Sequence, residues 1–180
     1  MTRFFRFIAQ AAACLACGCF LSGCSPTLDW REVRGVDAPY QVLFPAKPAS
    51  QTRTINIDGQ QVAMTMTGAE VGGVTFAVGS AELSDAAAAQ KALPAMKTAL
   101  LHNIRGTVRH EKSSPPGAVP ATMEIEASGQ PDAATDSQPR LLAARFVAKE
   151  QHVYQLVVTG KESAVKRDAI ETFFESFKPD

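Results

Sequence analysis

Cysteine is almost missing from this sequence, and the little there is lies at one end. Cys14, Cys17, Cys19 and Cys24 are the only four, and none follows position 24. A disulfide framework in the body of the chain is thereby excluded, so its fold must be held by an apolar core alone. Cys14 and Cys17 have C-x-x-C spacing, but no second pair completes a zinc site. Histidine is scarce as well. His102, His110 and His152 are the only three, and none has a ligand-type partner two to four residues further on. His110 and Glu111 are adjacent on a strand, so their side chains point to opposite faces. No metal and no cofactor is expected. Net charge is zero at neutral pH, which gives no electrostatic reason to expect nucleic acid as a partner.

A long apolar run is also lacking. The stretch from residue 7 to residue 20 is largely apolar, but it falls short of the roughly 20 residues that a permanent membrane-spanning helix needs. Arg3 and Arg6 precede it, and Leu21, Ser22, Gly23 and Cys24 end it. Basic, apolar and small residues in that order make residues 1–23 a secretory signal. The segment Leu21-Ser22-Gly23-Cys24 resembles the bacterial lipobox. There the small side chains of Ser22 and Gly23 let the backbone lie extended in the signal peptidase. The Cys24 thiol takes a diacylglycerol through a thioether, and cleavage frees its amine for a further acyl chain such as palmitate. Each buried methylene contributes about 0.8 kcal/mol, so two or three chains anchor firmly where one does not. The resemblance implies a lipoprotein of the bacterial cell envelope. Ser25 is not the aspartate that resembles an inner-membrane retention signal, so the outer membrane, facing the periplasm, is the expected location.

Loss of residues 1–23 removes two arginines and no acid, which leaves the mature chain with two more acids than bases. Its length suits one domain. Residues 24–37 read as a lipidated N-terminus and short tether, with Trp30 packing back on the domain in preference to sitting at the membrane interface, and residues 38–180 as a single α+β domain. Residues 40–45 form a strand stopped by Pro45. Residues 53–57 and 61–67 alternate polar and apolar about Asp58-Gly59, a strong hairpin signal because both turn residues tolerate positive φ. A second turn at Gly72-Gly73 leads into a strand over 74–83. Asp85 or Ser84 then caps a helix whose stripe is Ala89, Leu93, Met96, Leu100 and Ile104. Pro94 inside it predicts a kink or break near residues 91–93, and Arg105-Gly106 a stop. Strands follow over 107–112, 121–128, 140–149 and 152–159, with an exposed loop over 129–139. A helix from about Ser163 carries Ile170, Phe173, Phe174 and Phe177. The order of elements gives an antiparallel sheet with helices packed on it.

The start Tyr40-Gln41-Val42-Leu43-Phe44-Pro45-Ala46-Lys47-Pro48 looks like a motif of small secreted bacterial domains. So do the run Val153-Tyr154-Gln155-Leu156-Val157-Val158-Thr159-Gly160 and the ending Phe173-Phe174-Glu175-Ser176-Phe177-Lys178. Together they resemble the PsbP-like α/β/α architecture, named for an extrinsic photosystem subunit. That resemblance implies a fold but little chemistry, because its members are functionally diverse and mostly non-enzymatic.

The residues that could carry chemistry read more simply as structure. Met64 and Met66 share a strand face and could hold a soft metal such as Cu(I), but methionine is also a flexible core filler. Glu124 and Glu126 share a face, as paired carboxylates would, or as one wet side of a strand. Ser80 and Ser128 sit in no nucleophile elbow. Gly68, Gly72 and Gly73 lie between strands and so form turns rather than a phosphate cradle. The loops 129–139 and 113–120 are the places for recognition. A non-enzymatic, membrane-anchored module that binds an envelope protein or stabilises an assembly is expected. A binder of a small apolar ligand between sheet and helix is the alternative, and a hydrolase the third. An apolar cavity with a few converging polar groups would favour the second. Oligomeric state is left open. Replacing Cys24 by alanine is expected to abolish incorporation of labelled palmitate in cells and to leave the precursor uncleaved or the domain soluble. Normal labelling of that variant would remove the anchor.

Overall fold

The computed structural model describes residues 28–129 and 139–180. The expected signal over residues 1–23, the expected lipobox residues Leu21, Ser22, Gly23 and Cys24, and residues 130–138 of the expected loop lie outside them. The architecture is α+β. Seven antiparallel strands make the main sheet: β3 (Ala49–Ile57), β4 (Gln60–Val71), β5 (Val74–Glu82), β9 (His152–Lys161), β8 (Arg140–Lys149), β7 (Ala121–Gly129) and β6 (Thr107–Ser113), in that spatial order. Two turns fix the meander at its start. Asp58 (φ 50°) and Gly59 (φ 85°) close the β3–β4 hairpin, and Gly72 (φ 59°) and Gly73 (φ 75°) close β4–β5. Two successive positive φ values match the right-handed twist of the paired strands.

The central strands bury both faces. Along β8, Leu141, Ala143 and Val147 enter one core while Leu142, Ala144, Phe146 and Ala148 enter the other. On β9, Tyr154, Leu156 and Val158 alternate with Val153 and Val157 in the same way. Such a sheet needs a cover on each side. The first is helix α1 (Ala86–Asn103), which seats Ala89, Ala92, Leu93 and Met96. Asp85 caps it, its carboxylate accepting the Ala88 N–H at 2.8 Å. The helix runs unbroken through Pro94, against the expected break. Pro94 and Gln90, whose carbonyl loses its partner, are both on the exposed side, where water can satisfy that oxygen. At the other end the Gly106 N–H reaches Leu101 O and the Arg105 N–H reaches His102 O, the paired bonds of a Schellman stop. The left-handed position is filled by Arg105 (φ 48°) rather than by the glycine.

The second cover is helix α2 (Arg167–Ser176) together with a small sheet. The helix begins four residues later than the expected Ser163, because residues 162–164 form a turn and Ala164 and Val165 pack on the core before it. The small sheet corrects the tether assignment. Residues Arg31–Gly35, assigned to the tether of 24–37, form strand β1, which pairs with β2 (Tyr40–Phe44), and β2 pairs in turn with β10 (Lys178–Pro179). Both strands are too short to show an alternation, and each exists because β2 offers it a free edge. Trp30 packs edge-on to Phe76, 6.4 Å between centroids. Phe173 is the hub of this layer, with ring centroids 5.3 Å from Phe44 and 5.4 Å from Phe76. The Tyr154 hydroxyl donates to Pro39 O at 2.9 Å, and burial pushes its pKa up to about 12, so it stays a donor across the physiological range. Phe173→Ala, at a fully buried position, is expected to cost about 3–5 kcal/mol, measured by urea unfolding. A loss under 1 kcal/mol would show that α2 is not needed to cover this face.

Candidate functional site

Two concave sites lie on opposite faces of the main sheet. The larger, about 470 Å³, is a groove between α1 and the β3–β4 end. It arises because α1 packs mainly on β8 and β9 and covers β3 and β4 only in part on that face. Ile55, Ile57, Met64 and Met66 line it from the sheet, and Ala95, Met96, Ala99 and Leu100 from the helix. The alanines keep the helix wall low. Asn56, Asp58, Asn103 and Gln155 supply the polar groups. Gly79 sits beneath: a Cβ there would lie 2.6 Å from Met64 Cε and 2.7 Å from Met66 Sδ, so the missing side chain leaves space that the two methionine ends occupy. Met64 is buried, but Met66 is 38% exposed and does not behave as plain core filler.

The second site, about 360 Å³, lies between α2 and the β6–β7 edge. Register places His110 opposite Glu126 and Lys112 opposite Glu124, on the face that α2 crosses. The two glutamates therefore share a face, as expected, but that face is not simply a wet one. Arg145 Nε donates to Glu124 at 2.9 Å, its Nη1 donates to Phe174 O at 2.5 Å, and its guanidinium lies 5.0 Å from the Phe174 ring centre. Arg167 grips Glu126 with both terminal nitrogens. The Arg167 hydrogen bond holds the Glu126 carboxyl below its ordinary range. A carboxylate committed to an arginine in this way is a poor general base, and the cleft is lined by no serine, threonine or cysteine.

The remaining candidates stay apart. His102 is in the last turn of α1, His110 on β6 and His152 on β9 beside Tyr154. Among the described residues no group of three histidine, cysteine or acidic side chains could hold a metal ion. Gly72 and Gly73 make a turn, and Gly68 lies within β4. Ser80 is buried on β5, and Ser128 is on β7. In the 113–120 segment the Ser114 N–H bonds Thr122 O and the Ala118 N–H bonds Pro115 O, so it is a tight connection. No helix of the described residues is long and apolar enough to cross a membrane. No protein-family model matches the chain, and no curated protein does.

The groove was only half legible in the sequence. Met64 and Met66 were visible as a pair on one face, but the emptiness opposite them depends on where α1 crosses the sheet. The Glu126–Arg167 pair predicts a pH effect. Its stabilisation is complete above the carboxylate's ordinary value of 4.5 and is lost as pH falls through the lowered one. Arg167 is two-thirds exposed, so the pair is worth under about 1 kcal/mol. Glu126→Gln is expected to flatten the acid limb of stability against pH below 4.5, followed by urea unfolding at stepped pH. An unchanged acid limb would show that the pair contributes nothing.

Proposed function

We propose that this chain is a lipid-anchored, non-enzymatic module of the bacterial envelope, PsbP-like in architecture, that binds a small apolar ligand in the groove beneath α1. The groove carries this reading. Its volume falls in the range of about 300–1,000 Å³ common to small-molecule sites, and its walls are mostly apolar with a few polar groups converging on them. Methionine suits such walls because its side chain is unbranched, polarisable and able to repack around different shapes. The anchor at Cys24 rests on the lipobox and the outer-membrane location on Ser25, and they would place the groove in the periplasm at the membrane surface.

A second reading, docking of an envelope protein, draws support from the free edge of the sheet. β3 pairs with β4 through nine residues without a bulge and carries one charged side chain, Arg53. The opposite edge, β6, is bulged between Val108 and His110 and studded with charge. Proteins blunt edges that must not pair by bulges and charges of this kind, and β3 has little of either.

The ligand reading has a direct test, since three of the five methionines of the sequence line the groove. In the full lipidated protein, carried in phosphatidylcholine nanodiscs with ¹³C-methyl methionine, decanol is expected to shift the Met64, Met66 and Met96 signals. Met123, on β7, serves as the unmoved control. Ala99→Phe fills the groove and is expected to remove the shifts. Shifts at none of the three, or equal shifts at Met123, would end the ligand reading and leave the β3 edge as the site.

A further inference from the structure

We infer that the ligand of the groove is an anionic amphiphile, an alkyl chain with a carboxylate or phosphate head, and that Arg53 receives the head. This rests on the groove being a ligand site. Arg53 lies directly across from Met64 in the β3–β4 register, so the two side chains leave the sheet on the same face, with Cβ atoms roughly 5 Å apart. Ile55 is two residues along that face, and Met66 is the diagonal neighbour. Both line the groove, as Met64 does. Arg53 therefore stands at the rim of the groove with apolar walls on its inner side.

The guanidinium is exposed and makes no hydrogen bond or ion pair among the described residues. Its neighbours on that face supply no acid: Gln51, Ile55, Met64 and Met66 are all uncharged. The other arginines around the second cleft differ, since Arg109, Arg145 and Arg167 are each bound to a glutamate. A planar fork of donors beside an apolar trough matches a carboxylate or phosphate at the end of a hydrocarbon chain. Asp58 is the one charged residue among the groove's lining, at the hairpin turn five residues along the chain from Arg53. It repels an anionic head from that end and so fixes the polarity of the bound chain. An ammonium head would choose the opposite end, so the sign of the head is a sharp test.

The methyl signals of Met64, Met66 and Met96 are followed in the same nanodisc-borne protein with three probes of equal chain length: decanoate, decanol and decyltrimethylammonium. Decanoate is expected to bind about tenfold more tightly than decanol, the worth of one charge-assisted hydrogen bond, and decyltrimethylammonium no more tightly than decanol. Arg53→Ala should bring decanoate to the level of decanol without changing decanol itself. Arg53→Lys should keep part of the preference. Equal binding of decanoate and decanol to the unaltered protein overturns the inference while leaving the groove as a ligand site. A preference for the ammonium probe, or a carboxylate preference that survives Arg53→Ala, overturns it too. Binding of none of the three removes the groove reading itself. Adding phosphatidylglycerol to the nanodisc separates the sources. If decanoate is displaced, a membrane lipid supplies the anionic head, and if it is not, a free acid does. Either result supports the class.

Discussion

Strands β8 and β9 carry apolar side chains on both faces, and most of the remaining structure follows from the need to cover them. Leu142, Ala144 and Phe146 look one way, while Tyr154, Leu156 and Val158 look the other. At about 25 cal/mol per Å² of apolar surface, neither face can be left to water in a domain whose described residues include no cysteine. α1 closes one side. The other needs α2, β2 and the aromatic cluster about Phe173, because a ten-residue helix is too short to cover it alone.

The two covers fit differently, and the difference creates the sites. On the α2 side, Phe173 meets Phe44 and Phe76, and backbone ties hold the layer down: the Leu43 N–H to Ser176 Oγ at 3.0 Å and Lys149 Nζ to Pro179 O at 3.1 Å. In the cleft that remains there, Arg145 holds Glu124 and Arg167 holds Glu126. On the other side a single helix packs mainly on β8 and β9 and meets β3 and β4 only at its border. The strip it misses is the methionine-lined groove. Flexible thioether side chains line it, and the lack of a side chain on Gly79 gives them room.

Much of the main sheet was legible because local chemistry acted alone. Asp58-Gly59 and Gly72-Gly73 specify tight hairpins whatever surrounds them, and Asp85 caps a helix with its own carboxylate. Pro94 does not break the helix because its cost depends on which side of the helix it falls, and it falls toward water. The small sheet was missed because β1 and β10 have no pattern of their own. Their strand character is lent by β2, which is itself held in place by Tyr154 and the packing beneath it.

Sequence alone determined the lack of cysteine beyond position 24, the α+β class and the turn positions. These rest on neighbouring residues or on composition, so no distant contact was needed to read them. Only the tertiary structure decided that Met64 and Met66 border an open groove, that Arg53 stands beside it with no ion pair among the described residues, and that Glu124 and Glu126 are engaged by arginines from β8 and α2. Each of those depends on residues far apart in the chain meeting across a sheet, at an angle set by its twist and by the line that α1 takes over it.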